Sequence, residues 1–270
     1  MQDSRIAARG LVLLGCGKMG SAMLAGWLER GLPATSVWVQ DPAPSPWVQS
    51  TGVHVNTDLP PEPAVILIAV KPQMMGDALP AIAAFGGRDT AFVSVAAGTP
   101  LSAFEEAFGT ASPIVRAMPN TPAAVSRGIT AICANDAGQG ALDEAEMLLS
   151  AVGEVVRLDS EEQMDAVTGV SGSGPAYVFH LIETLAAGGV AQGLPEDLAM
   201  QLAKATVAGA GHLAMKADED PSQLRVNVTS PNGTTQAALE VLMDEKVGFP
   251  SLLPRAVEAA TTRSKELARG

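Results

Sequence analysis

Between Val226 and Leu239 the chain reads VNVTSPNGTTQAAL, and within it Ser230, Pro231, Asn232, Gly233, Thr234 and Thr235 gather hydroxyls, a proline and a glycine just ahead of a helical pattern. A helix start leaves several backbone N–H groups without intrahelical acceptors. With two threonine hydroxyls beside them, those groups make a cradle for a small carboxylate. The stretch holds no Cys, His, Asp or Glu. Chemistry at that place therefore needs neither a strong base nor a metal there.

A second motif, GCGKMG at residues 15–20, follows the apolar run Leu11–Leu14 and opens a helical pattern containing Ala22, Met23, Leu24 and Trp27. Gly15 suits a tight turn, Gly17 lets backbone approach a pyrophosphate, and Gly20 allows close packing of helix on strand, with the phosphates at the positive helix end. The next apolar run ends at Gln40-Asp41. An acid at that place hydrogen-bonds the ribose hydroxyls of NAD, whereas NADP needs a cation for its extra phosphate. No Lys or Arg occurs between Arg30 and Lys71, so the local pattern leans towards NADH. Asp41 before Pro42 also suits a plain turn, and a helix start at Ser45-Pro46 offers N–H groups to a phosphate, so NADPH and NADH both stay open.

Further polar groups fall at the ends of apolar runs: Ala69-Val70-Lys71-Pro72, Ala96-Ala97-Gly98-Thr99, and Arg116-Ala117-Met118-Pro119-Asn120-Thr121-Pro122. In a doubly wound sheet, ligands sit outside the carboxyl ends of the strands, so the first two loops are expected to flank the nicotinamide half of a dinucleotide. Lys71 reads equally as a ligand contact or a solvated strand cap, and Asn56 as a contact or a turn residue. Ser171-Gly172-Ser173-Gly174-Pro175-Ala176-Tyr177 is a second hydroxyl-rich helix start. His54, His180 and His212 have no partner at readable spacing and read as structural or surface groups.

The elements that must position these groups change character near residue 160. Before it, short aliphatic runs alternate with helical segments, the pattern of a mostly parallel sheet covered on both faces. Strands are expected at 11–14, 37–40, 65–70, 91–96, 114–117, 129–133 and 154–158, with helices that include 73–85 and 141–152. After Asp159 the β-branched runs stop and helical periodicity takes over at 160–166, 175–191, 195–216, 234–246 and 252–268. Two domains follow, 1–159 dinucleotide-binding and 160–270 helical. Small residues recur at 186–189 and at Ala205, Ala208, Gly209 and Gly211, and an Ala-rich helical domain of this size is expected to share its core with another subunit. Among 270 residues, 47% are hydrophobic but only 4% aromatic, and 17 Lys+Arg against 29 Asp+Glu give a net charge of -12. That charge disfavours nucleic acid and anionic membranes. The longest apolar run, Ala64–Val70, falls far short of the roughly 20 residues of a membrane span. The opening MQDSRIAARG lacks the apolar stretch of a secretory signal, and Cys16 and Cys133 form no spaced cluster, so no metal site is expected and a cytoplasmic location is.

Taken together, GCGKMG at 15–20, AVKP at 69–72, AAG at 96–98, RAMPNTP at 116–122, DAVTGVSGSGPAY at 165–177 and SPNGTT at 230–235 resemble the pyrroline-5-carboxylate reductase family. The resemblance runs from about Leu11 to Leu267 with the motifs in order. It implies an N-terminal Rossmann domain, an all-helical C-terminal dimerisation domain, a homodimer that in some members assembles into decameric rings, and NAD(P)H-dependent reduction of L-1-pyrroline-5-carboxylate to L-proline. By the same resemblance the cofactor meets Gly15, Gly17, Lys18, Met19, Gly20, Asn56, Ala69, Val70, Lys71, Pro72, Ala97 and Gly98, with Asp41 and Asn120 at the same edge. The substrate carboxylate meets Gly233, Thr234 and Thr235, with Thr235 near the ring nitrogen and Glu161 and Ser173 close by. Two positions depart from the family pattern: Asn232 stands where glycine is usual, and Asp41 replaces a small hydroxyl residue, which bears on the usual NADPH preference. A hydroxyisobutyrate-type 3-hydroxyacid dehydrogenase needs a Lys base four positions after the last glycine of its loop, where this chain has Val178. A nucleotide-sensing module has no need of the second cradle.

Overall fold

The computed structural model describes residues 4–268. The strands are β1 (Leu11–Leu14), β2 (Val37–Gln40), β3 (His54–Val55), β4 (Val65–Ile68), β5 (Ala91–Ser94), β6 (Ile114–Met118), β7 (Gly128–Ala134) and β8 (Gly153–Arg157). They form one sheet in the order β3-β2-β1-β4-β5-β6-β7-β8. Every pairing is parallel except β6 with β7, which is antiparallel. The helices are α1 (Arg5–Arg9), α2 (Lys18–Glu29), α3 (Pro46–Ser50), α4 (Met75–Ala78), α5 (Leu101–Phe108), α6 (Leu142–Leu149), α7 (Met164–Val167), α8 (Gly174–Ala191), α9 (Glu196–Lys216), α10 (Pro221–Asn227), α11 (Thr234–Leu242) and α12 (Phe249–Leu267).

Strands β1, β4 and β5 are buried at every position, which is why they read as unbroken apolar runs. Their alternate residues feed opposite cores. Leu11, Leu13, Val65, Leu67 and Val93 join Met23 and Trp27 on one face, while Val12, Leu14, Ile66, Ile68 and Phe92 join Phe104 and Phe108 on the other. Trp27 satisfies its indole N–H on the Leu148 carbonyl at 2.9 Å, and Phe92 stacks on Phe108 at 4.0 Å. Strand order reverses at β1, which lies between β2 and β4, and such a switch point opens a crevice at the carboxyl ends.

The chain divides into two compact units, one running to Gly172 and taking in the residues from Thr261 onward, the other Ser173–Ala260. In the second unit, α8 and α9 meet through Ala186, Ala199 and Ala203, and a side chain at Gly189 would press on Ala199. Several elements differ from the sequence expectation, which has neither α1 nor β3. The segment 73–85 is not one helix: Pro72 and Pro80 sit at the starts of separate 3-10 turns around the four-residue α4. The helix expected over 160–166 is a 3-10 turn, α7 and then a π-turn at Thr168–Gly172. Helix α10 was not expected, because Asp220-Pro221 reads as a stop although it begins a helix. No described helix is long and apolar enough to cross a membrane.

Candidate active site

At the carboxyl end of β1, Gly15 takes φ +88 and donates its N–H to the Gln40 carbonyl at 2.8 Å. A Cβ there would lie 2.9 Å from the Ala69 carbonyl oxygen, so the loops after β1 and β4 approach as only glycine allows. Gly20 is buried, and a Cβ on it would run into the Gly15 carbonyl. Gly17 is exposed, has open space where a side chain would be, and N-caps α2 without any side-chain hydrogen bond. The first N–H groups of a twelve-residue helix are therefore left free for an anion. Lys18 is exposed, while Met19 packs partly into the core. These features fit a dinucleotide pyrophosphate.

The Cys16 N–H is not part of that free set, because it donates to Oδ2 of Asp41 at 2.6 Å. Oδ1 of Asp41 accepts the Ala43 N–H at 2.8 Å. Asn56, at φ +51, brackets the same residue: its Oδ1 accepts the Asp41 N–H at 3.0 Å and its Nδ2 donates to the Asp41 carbonyl at 2.9 Å. Asp41 is thus fixed by its neighbours and clamps the glycine loop. A carboxylate has about four acceptor sites, so capacity for ribose hydroxyls remains. The hydroxyl of Ser45 accepts the Val48 N–H and spends itself on capping the five-residue α3, which weakens the expectation of a phosphate seat there. Burial pushes the Cys16 thiol pKa up, so the thiol is neutral and no nucleophile.

Along the same sheet edge, Ala69 and Val70 are half-buried, and Lys71 and Pro72 are exposed. Lys71 has no ion-pair partner among the described residues. After β5, Ala97 is exposed and Gly98 takes φ +75. After β6, Asn120 ties three pieces of backbone together: its Oδ1 accepts the Ile129 N–H at 3.0 Å and its Nδ2 donates to the Ser171 carbonyl at 3.1 Å. Arg116, nearly buried on β6, pairs with Glu161 at 2.7 Å. Sequence reasoning named these residues but not this pairing; the one readable signal was an arginine inside the apolar strand IVRAM. Burial and the nearby Glu161 carboxylate push the Cys133 thiol up to about 11, against a smaller opposing pull from Arg116.

In the second unit, Gly233 N-caps α11 with no side-chain cap, so the N–H groups of its first turn carry no side-chain partner there. Thr234 is exposed, and Gly233 and Thr235 are half-buried. Asn232 takes φ +58, the left-handed geometry Asn tolerates, and its N–H is held by Oε1 of Gln236 at 2.7 Å. Ser173 stands at the head of α8, also without a side-chain cap bond. The histidines have other roles: His54 stacks on Trp38 and bonds the Thr35 carbonyl, and exposed His180 pairs with Glu183. Among the described residues no cluster could hold a metal ion.

Comparison with known proteins bears on both units. The family model described as pyrroline-5-carboxylate reductase dimerisation matches residues 161–267, and one described as NADP oxidoreductase, coenzyme F420-dependent, matches residues 10–98. A pyrroline-5-carboxylate reductase of Synechocystis is 43% identical over 96% of this chain and 98% of its own length. That of Pseudomonas aeruginosa is 37% identical over 96% of each. The solved reductase from Coxiella burnetii superposes with a TM-score of 0.88 at 32% identity, covering 97% of this chain and 99% of its own. The Plasmodium falciparum enzyme, solved with NADP bound, gives 0.81 at 28% identity over 96% and 98%. A glycine loop under a Rossmann sheet, a helical dimerisation region and relatives matched end to end place this chain in the pyrroline-5-carboxylate reductase family.

Proposed function

We propose that this protein reduces L-1-pyrroline-5-carboxylate to L-proline, the last step of proline synthesis, with NADPH or NADH. The observation that carries the reading is the uncapped start of α11, a carboxylate cradle without an acid or base, in a chain whose other unit presents a second uncapped helix start behind a glycine loop. When bound, the nicotinamide nucleotide supplies a hydride. Reducing a C=N bond requires that the hydride reach carbon while the π electrons become the amine lone pair, and an iminium substrate already carries its proton. The protein then has to orient rather than to exchange protons. Backbone N–H groups at Thr234 and Thr235 hold the carboxylate beside Gly233, whose own N–H is bonded to the Ser230 carbonyl at 3.0 Å, and the Thr235 hydroxyl hydrogen-bonds the ring nitrogen, with Ser173 as a neighbour. On the nucleotide side, Gly15, Gly17, Lys18, Met19, Gly20, Asp41, Asn56, Ala69–Pro72, Ala97, Gly98 and Asn120 are the proposed contacts. Val178 leaves a hydroxyacid dehydrogenase without its base.

The domain division at 159/160, a cytoplasmic location and, beyond a dimer, assembly into decamers belong to the same reading. Pyrroline-5-carboxylate-dependent oxidation of NADPH and NADH tests it, and absence of turnover with both would refute it. Thr235→Ala is expected to lower kcat/KM by roughly 10 to 1,000-fold, as losing one oriented polar contact does. An unchanged value removes Thr235 from the mechanism.

A further inference from the structure

We propose that Glu161 is a positioning residue for the nucleotide, acting through the loop between β5 and α5; this rests on the reductase reading above. One oxygen, Oε1, accepts two hydrogen bonds, from Nη1 of Arg116 at 2.7 Å and from the Leu101 N–H at 2.8 Å. Leu101 is the first residue of α5, whose N-cap is Pro100 and has no side-chain cap of its own. A carboxylate from 60 residues downstream therefore does for α5 what a capping Ser or Asp does elsewhere, with the helix dipole in its favour. Arg116 makes that carboxylate stay. Its side chain is only 7% exposed, and a cation so placed is costly unless paired.

The loop fixed in this way is the one expected to flank the nicotinamide. Its near end is set by the Val95 N–H on the Ile68 carbonyl at 3.0 Å and by the Ala96 N–H on the Ser94 hydroxyl at 3.3 Å. Gly98 turns at φ +75, with Leu267 3.8 Å from where a Cβ would stand. Glu161 holds the far end. Ala97 is left as the exposed crest of the loop that follows β5, the strand that neighbours β4 in the sheet. Without Glu161 the first turn of α5 loses its cap and the crest loses its fixed height over the sheet edge. The cost falls on nucleotide binding, and the carboxylate cradle at Gly233–Thr235 is untouched.

The test compares wild type, Glu161→Gln and Glu161→Ala, with melting curves to confirm folding. Dissociation constants for NADPH and NADH are read by fluorescence without substrate, and KM for pyrroline-5-carboxylate at saturating nucleotide. Glu161→Ala is expected to weaken nucleotide binding roughly tenfold, as the loss of one charge-assisted hydrogen bond does. Glu161→Gln keeps an oxygen for the Leu101 N–H, folds where Ala fails, and loses roughly threefold. Substrate KM stays within about twofold in both. A raised substrate KM with unchanged nucleotide binding would make Glu161 a substrate ligand and overturn the proposal, as would two unchanged constants. Nucleotide affinity is measured without turnover, so a wild type inactive on pyrroline-5-carboxylate refutes the reductase reading alone.

Discussion

Asp41 sits where two demands meet. Its carboxylate holds the Cys16 N–H and so shapes the glycine loop, and it carries a negative charge at the end of β2, where an adenosine ribose is expected. A 2′-phosphate there would meet that charge with no Lys or Arg between Arg30 and Lys71 to offset it. Asp41→Asn keeps an oxygen for the loop and removes the charge. It should shift the ratio of kcat/KM values towards NADPH by roughly tenfold, the effect of about 1.4 kcal/mol of relieved repulsion. An unchanged ratio, measured with both nucleotides on one preparation, would reduce Asp41 to a loop clamp. That division of labour was half legible: an acid after the second apolar run is visible in the sequence, but the Cys16 and Asn56 contacts depend on where loops meet in space. Asn120 and Glu161 are named in the sequence, but their contacts to the Ser171 carbonyl and to the Leu101 N–H escaped for the same reason, since each joins segments far apart in sequence.

At the scale of elements, unbroken apolar runs revealed the central strands and GCGKMG revealed α2, because burial on both faces and a tight turn both leave marks on neighbouring residues. The direction of β7 left none. It depends on the turn Thr121–Val125 and on Ser126 at φ +55, which send the chain back antiparallel. Helix α1 shows how a weak element is held. Five residues do not make a stable helix unaided, and α1 is pinned by Ser4 at its start and by its arginines. Arg5 reaches the carbonyls of Ala64 and Asp89, and both Arg5 and Arg9 pair with the Asp89 carboxylate. The Arg9 hydrogen bond, then the Arg5 charge, hold the Asp89 carboxyl below its usual range, while burial pushes Glu144 up against the pull of Arg5. Asp89 therefore contributes stability above the ordinary Asp range, lost as pH falls through its lowered pKa. Glu144 contributes below the ordinary Glu range and loses it as pH rises through its raised pKa. Asp89→Asn should lower Tm at pH 7 by on the order of one or two degrees, since the site is exposed, and by less in acid. Glu144→Gln should raise Tm at pH 7 and leave it unchanged below about pH 4. Flat differences across the scan would mean that α1 is held by its backbone bonds alone.

For the whole molecule, the two units are unequal in what they bury. The sheet unit has two cores of large side chains, whereas among the described residues of the second unit the buried apolar set is Ala186, Ala199 and Ala203. Leu202, Leu213, Val241, Val247 and Phe249 are exposed there, and an open groove of about 510 Å³ lies against Val226, Leu239 and Met243. Three alanines cannot offset the ordering of five helices, so the missing apolar burial has to come from another copy, as the dimerisation family model over 161–267 implies. On α9, Leu202, Ala205, Gly209 and Leu213 fall on one face at helical spacing, all exposed, while Ala199 and Ala203 face α8. Stability then depends on protein concentration. Tm should rise by roughly 2 to 4 °C for each tenfold increase, because association adds about 1.4 kcal/mol per decade. Leu202→Glu with Leu213→Glu would place two charges on that face. In a monomer such exposed changes cost little, whereas against a second copy they bury unpaired carboxylates. The double variant is therefore expected to sediment as a monomer, with a lower Tm that no longer responds to concentration, and a variant that stays dimeric would take this face of α9 out of the interface.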